Sequence, residues 1–191
     1  MNKNLAIILS ACLANFLTLA WFITRHWLLT NILAVAILVY LFMVLPKLSL
    51  KTTLIICVSV MLYDLVAVYF TNFMLYASYF AVKDSLPMII KVPDSLSSGK
   101  NIFAYNCIGI ADIFIPGLIT VAAFEKRKMP KLRMLPVVTL VSHAVGIVLS
   151  SWMCYKYSCI QPAMVFIVPC MLITITLFYF NKGLLFKKIT V

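Results

Sequence analysis

Six long apolar runs dominate this sequence and limit what it can fold into. No run contains Lys or Arg, and each is close to the ~20 residues that a helix needs to cross a bilayer. Only 11% of the chain is charged, and its mean hydropathy is +1.09. Irregular chain cannot face lipid, and unbroken apolar runs do not fit the alternating strands of a membrane barrel. The sequence therefore predicts an all-α polytopic membrane protein with about six spans.

The predicted spans belong to a single transmembrane domain, residues 1–191. They lie at residues 5–23, 27–45, 52–73, 102–124, 134–155 and 160–180. A long loop, residues 74–101, separates the third and fourth spans, and a basic loop, residues 125–133, follows the fourth. The first run also fits a cleaved signal peptide, because it follows Lys3, and this alternative leaves the later topology unchanged.

The positions of the basic residues predict the orientation of the spans. Eleven of the sixteen Lys and Arg residues lie at the two termini, in the short loop after the second span and in the basic loop. By the positive-inside rule these segments are cytosolic, and the long loop faces the outer or lumenal side. The net charge of +11 therefore reflects insertion in a lipid bilayer and does not indicate a nucleic-acid partner. No Cys or His spacing predicts a metal site or a cofactor.

Two of the five acidic residues lie inside the apolar runs. They are Asp64 in the third run and Asp112 in the fourth, each near the middle of its predicted span. Insertion of one Asp at a helix centre costs about 2.5–3.5 kcal/mol, and no Lys or Arg in any run can pair with it. His143, in the fifth run, is the other candidate at this depth. It is expected to be a polar residue facing the bundle, with a relay or substrate contact as the alternatives.

The two acids are expected to be partners on neighbouring helices that run in opposite directions. Two close carboxyl groups cannot both ionise, so they share one proton, and such a pair can activate water for hydrolysis. Pro116 lacks the N–H that would bond the Asp112 carbonyl, and Gly109 removes a side chain one turn before Asp112. A proton or ion relay in a transporter, or two separate structural acids, are the alternatives that these residues leave open.

Three short motifs resemble those of a known family. They are Tyr63-Asp64, Gly109-Ile110-Ala111-Asp112 and Gln161-Pro162-Ala163-Met164, which are similar to the YD, GxGD and QPAL motifs of signal peptide peptidases and presenilins. The sequence around Asp112, GIADIFIPG, favours the signal peptide peptidase branch. The resemblance extends from about residue 52 to residue 180.

The resemblance implies an intramembrane aspartyl protease whose catalytic residues are Asp64 and Asp112. It implies that Tyr63, Gly109, Ala111 and the segment from Gln161 to Met164 line the substrate site. Expected substrates are membrane-embedded peptides, namely signal-peptide remnants and type II membrane segments. The implied location is the endoplasmic reticulum membrane, with a cytosolic C-terminus and no metal or organic cofactor.

The sequence departs from the family pattern in two ways. Ala111 replaces the second Gly of GxGD, which reduces or abolishes turnover if that position needs positive φ or close backbone contact, and is harmless in an ordinary helix. The family fold has nine spans, and the six here match its last six. We expect lipid, self-association as a homo-oligomer or an accessory membrane subunit to replace the missing three. A catalytically inactive relative that binds membrane helices is therefore an alternative, as is a proton-coupled transporter.

Overall fold

A computed structural model describes residues 3–45, 48–71, 73–93, 105–157 and 162–184. The described chain is mainly helical, with one two-stranded sheet. In chain order the elements are α1 (Lys3–Thr24), α2 (Trp27–Val44), α3 (Leu50–Tyr69), α4 (Phe73–Lys83), β1 (Ile89–Pro93), β2 (Tyr105–Gly109), α5 (Ile110–Lys126), a 3-10 turn (Pro130–Leu132), α6 (Leu135–Tyr157) and α7 (Met164–Asn181).

Five helices in the described part of the chain are long and apolar enough to cross a membrane. They are α1, α2, α3, α6 (together with the 3-10 turn before it) and α7. The remaining predicted span, the fourth, corresponds to α5, whose 17 residues rise only about 25 Å, slightly less than the ~30 Å of a typical hydrocarbon core. The prediction of an all-α polytopic membrane protein is confirmed, with the helix count approximate.

The structure corrects the predicted boundaries on both sides of the long loop. The fourth run was expected to be a helix over residues 102–124, but its described part starts with β2, and the chain becomes helical only at Ile110. The expected loop, residues 74–101, includes most of α4 and all of β1, and β1 pairs antiparallel with β2. The third span ends at Tyr69 instead of residue 73. A short apolar run can form a strand or part of a helix, and periodicity does not distinguish the two.

The chain divides into two compact units. The first comprises Met1–Met43 and Tyr76–Ala111, and the second comprises Val44–Leu75 and Asp112–Val191. The single transmembrane domain expected from the sequence stays a prediction. The two units are described separately below.

A buried lysine organises the first unit. The Lys91 side chain is 2% exposed, and its ammonium donates to the Val82 carbonyl at 2.6 Å and to Ser85 Oγ at 3.0 Å. The Val82 carbonyl is in the last turn of α4, where the helix dipole favours a positive charge. Burial lowers the pKa of Lys91, while the neighbouring Cys107 opposes this shift. The ammonium thus caps α4 at the cost of its own hydration.

The backbone of Lys91 is held from α2. Ile110 N–H donates to the Met88 carbonyl, so the alternation of an antiparallel ladder makes Lys91 and Cys107 a pair without mutual hydrogen bonds. The N–H and carbonyl of Lys91 therefore point away from β2. The Asn31 amide bonds both of them at 2.8 Å and takes the place of a neighbouring strand.

We expect Asn31→Ala to weaken β1, because both backbone groups of Lys91 then lose their partner. The cost of leaving such groups unpaired is about 1–3 kcal/mol. Hydrogen exchange of the β1 amides in the purified protein measures this change. Asn15→Ala is the control, since the Asn15 amide bonds only the Ala11 carbonyl of its own helix. Equal protection of the β1 amides in both variants would contradict the two hydrogen bonds between Asn31 and the backbone of Lys91.

The second unit has a core contributed by α3, α5, α6, α7 and the 3-10 turn. Its buried members are Leu50, Cys57, Ile119, Ala122, Ala123, Leu132, Leu135, Met164, Ile167, Val168, Met171 and Ile175. Within this unit α6 and α7 approach closely at Gly146, where an added Cβ would lie 2.7 Å from the Cα of Ile167. The hydroxyls of Ser142 and Thr174, 3.0 Å apart, join the same two helices. Small residues allow such close approach between membrane helices.

Gly146→Ala should therefore push α6 away from α7. We expect a loss of about 1–3 kcal/mol in the free energy of unfolding, typical of overpacking, measured by denaturant titration in mixed micelles. Ala144→Val, on an exposed position of the same helix, adds more volume and should change little. If the two variants unfold alike, the close contact at Gly146 is wrong.

Candidate active site

Asp64 is buried in α3 and faces the start of α7. Its side chain is 7% exposed, and its Oδ2 accepts a long hydrogen bond of 3.4 Å from the backbone N–H of Met164. Met164 is the first residue of α7, and the N–H groups in the first turn of a helix have no partner within that helix. The contact joins two residues that are 100 positions apart in the chain. It brings the first and third of the sequence motifs together.

Pro162 and Ala163 lead directly into this contact. Pro162 is buried, and α7 begins two residues later, with Ala163 at its N-cap. Proline suits the start of a helix because its missing N–H and fixed φ cost nothing there. Gln161, which the resemblance placed in the substrate site, lies outside the described residues.

Asp112 lies in the first turn of α5 and is half-buried. It therefore sits near the beginning of its helix, and the expectation that it lies near the middle of a span is wrong. Pro116, four residues later, is inside α5 and cannot donate to the Asp112 carbonyl. His143 Nε2, from α6, lies 3.2 Å from that carbonyl oxygen. A carbonyl oxygen only accepts, so Nε2 carries the proton and Asp112 gains a donor from a different helix.

A third contact aligns α3 with α5. Cys57 Sγ donates to the Ile115 carbonyl at 3.3 Å. Cys57 lies seven residues before Asp64 and so shares its face of α3, while Ile115 lies three residues after Asp112. Both acids are therefore on helices that meet within the second unit.

The structure does not collect all the residues that were predicted for the site. Tyr63 is 61% exposed, so it lies away from the buried face that carries Asp64. Gly109 is the last residue of β2, paired with Ile89, so the expectation that it lies one helical turn before Asp112 is wrong. Both Gly109 and Ala111 belong to the first unit.

Ala111 occupies an ordinary helical position. It is the second residue of α5 and is exposed. Among the described residues, positive φ occurs at Arg25, Ser85 and Gly183 and not at Ala111. An alanine there carries no conformational penalty, so the position does not need the positive φ for which a glycine would be required.

No three His, Cys, Asp or Glu side chains within the described ranges come close enough together to hold a metal ion.

The family model described as signal peptide peptidase matches residues 1–188. The chain belongs to the signal peptide peptidase family. The resemblance in the motifs is thus confirmed, and the match extends well beyond residues 52–180. The family also defines the general class of the chain, that of intramembrane aspartic proteases.

Several curated proteins are similar to this chain. Signal peptide peptidase-like 2A of Homo sapiens is 26% identical over 91% of this chain and 37% of its own length. Signal peptide peptidase-like 3 of Arabidopsis thaliana is 28% identical over 80% of this chain and 31% of its own length. Intramembrane protease 2 of Caenorhabditis elegans is 26% identical over 78% of this chain and 34% of its own length. The chain spans about a third of the length of these relatives, and no solved structure matches it significantly.

His143 is the site residue that the motifs did not reveal. It was expected to be a polar residue facing the bundle, with a relay or substrate contact as the alternatives, and the structure gives it a specific partner in the backbone of Asp112. The signal was in the sequence, because Pro116 leaves a carbonyl without a helical donor and His143 is the one histidine within the six runs.

Met164 packs in the core beside its contact with Asp64, and its side chain is 2% exposed. We expect Met164→Ala to lower the free energy of unfolding by about 2 kcal/mol, because a cavity replaces packed atoms. Ile173→Ala, which truncates an exposed residue of the same helix, is the control. Denaturant titration of both variants in micelles measures the difference, and equal losses would remove Met164 from the core.

Proposed function

We propose that this chain carries the catalytic centre of an intramembrane aspartyl endopeptidase, with Asp64 and Asp112 as a pair that shares one proton. The main support is the contact between Asp64 Oδ2 and the N–H of Met164. That contact puts Asp64 of the YD motif against the Pro-Ala-Met segment inside one compact unit, the neighbourhood that the family resemblance implies. Asp112 belongs to the same unit.

The alignment of α3 with α5 supports the pairing. Counting 1.5 Å per residue, Asp64 lies about 10 Å along α3 from Cys57, and Asp112 lies about 4.5 Å along α5 from Ile115. The topology predicts that α3 and α5 run in opposite directions. Both acids are therefore displaced from the Cys57–Ile115 contact in the same direction along the helix axes. Each side chain tilts toward the N-terminus of its own helix, so the two carboxyl groups tilt toward each other and the remaining axial gap narrows.

The proposed reaction is hydrolysis of a peptide bond within the membrane. The ionised carboxyl group takes a proton from a water molecule while the water oxygen bonds to the scissile carbonyl carbon, and the protonated carboxyl group donates its proton to the carbonyl oxygen, which gives a gem-diol. The two acids then exchange roles: one donates its proton to the nitrogen as the C–N bond breaks, and the other takes a proton from the gem-diol, which leaves a carboxylic acid and an amine. Only the singly protonated pair is active, so the rate should rise and then fall as pH increases.

The proposed substrates are membrane-embedded peptides, namely signal-peptide remnants and type II membrane segments, cut in the endoplasmic reticulum membrane. A cytosolic C-terminus is part of the proposal, and the positive-inside rule supports it. Association with a second copy or with an accessory membrane subunit is part of the proposal.

Asp64→Asn and Asp112→Asn should each reduce cleavage of a labelled signal peptide by at least about a thousandfold, because neither variant can form the acid–base pair. Purified protein in detergent or nanodiscs is incubated with the peptide, and the products are identified by mass spectrometry. Asp84→Asn is the matched control. It makes the same chemical change at an exposed residue after α4, and its activity should equal that of the wild type.

The same experiment separates the alternatives. Unchanged cleavage by either Asp variant contradicts the catalytic pair. A wild-type chain that captures the labelled peptide but releases no product over a long incubation is an inactive binder. Flux of protons into liposomes that depends on both acids would instead indicate a transporter.

A further inference from the structure

The carbonyl of Asp112 lacks the usual helical donor four residues further along α5. Pro116 occupies the position whose N–H would bond it, and proline has none. A buried backbone carbonyl that is left without a donor is costly, by about 1–3 kcal/mol. His143 Nε2–H supplies the donor at 3.2 Å. The imidazole thus compensates for the proline at the residue that the proposed reaction depends on.

His143 is held in turn by the packing of α6 on α7. Gly146 lies one turn further along α6 and abuts the backbone of Ile167. Ser142, next to His143, is joined to Thr174 of α7 at 3.0 Å. His143 itself is buried between these two contacts. The imidazole therefore occupies a fixed position relative to α7.

The same helix α7 contacts the other acid. Met164 lies one turn before Ile167, and its N–H reaches Asp64 Oδ2. The backbone carbonyl of Asp112 is thus contacted from α6, and the carboxyl group of Asp64 is contacted from α7. The close approach of α6 and α7 at Gly146 connects the two contacts.

We propose that His143 is a positioning residue for the catalytic pair. Its Nε2–H holds the first turn of α5, and the α6–α7 contact passes this constraint to Asp64. The proposal rests on the proposed function for the role of the pair. Its own content is that His143 acts by donating one hydrogen bond to a carbonyl whose usual helical donor, four residues later, is replaced by Pro116.

The test is a double-mutant cycle between His143 and Pro116 in the purified protein. His143→Phe keeps the ring and removes the donor, whereas the amide of His143→Gln can still donate. We expect His143→Phe to lower kcat about ten- to a hundredfold with little change in KM, because a small displacement of reacting groups reduces the rate by that order. His143→Gln should retain most of the activity.

Pro116→Ala restores an N–H four residues after Asp112. In that background the carbonyl has a helical donor, so His143→Phe should change kcat by no more than about twofold relative to Pro116→Ala alone. The proposal is overturned if His143→Phe is fully active, if Phe and Gln lose activity equally, or if the loss caused by Phe is the same in both backgrounds. Thermal unfolding of each variant checks that the fold is retained.

A second readout does not depend on turnover. In protein with ¹⁵N-labelled histidine, the NMR shifts of His143 should report a proton on Nε2 and none on Nδ1, and His26→Gln assigns the signals. A proton on Nδ1 alone would overturn the contact. If the wild type never cleaves any peptide, the proposed function fails and so does the positioning role. If the Nε2–H signal were still observed in that case, the hydrogen bond between His143 and the Asp112 carbonyl would have a structural role alone.

Discussion

Lipid offers no hydrogen bonds, and this constraint determines how the second unit is built. Every polar group at membrane depth must find a partner in the protein or remain costly. Asp64 has the N–H of Met164, and the carbonyl of Asp112 has His143. Each of these partners comes from a different helix from its acid. The groups that are expensive in the membrane are thus the ones that fix the helices around the candidate site.

Close packing of α6 and α7 makes these contacts possible. Gly146 admits the backbone of Ile167, which no larger residue would allow without displacing a helix. His143 and Met164 are each one turn from that contact, on opposite helices. The first unit uses a comparable device, because Asn31 and the ammonium of Lys91 satisfy backbone groups around β1. In both units a few polar contacts complete an otherwise apolar packing.

Most of the helices could be predicted from the sequence, because an apolar run of about twenty residues without Lys or Arg is most stable as a helix in a bilayer. The start of α5 at Ile110 could not be predicted, since β2 is a short apolar segment whose sequence fits a helix as well as a strand. The motifs predicted Asp64, Asp112 and the Pro-Ala-Met segment as one site. Only the structure brings Asp64 to Met164, because that contact depends on helix packing across 100 residues. The loss of a helical donor at Asp112 was foreseen from Pro116, but its replacement by His143 required the position of α6.

The central claim is that Asp64 and Asp112 hold one proton jointly, and an infrared titration of the carboxyl groups in nanodiscs tests it most directly. In the wild type, two carboxyl protons should leave in two well-separated steps, because loss of the first proton makes the second harder to remove. Asp64→Asn and Asp112→Asn should each show a single step that lies between the two. If each variant simply deletes one of the two wild-type steps and leaves the other unmoved, the acids are independent and the account is wrong.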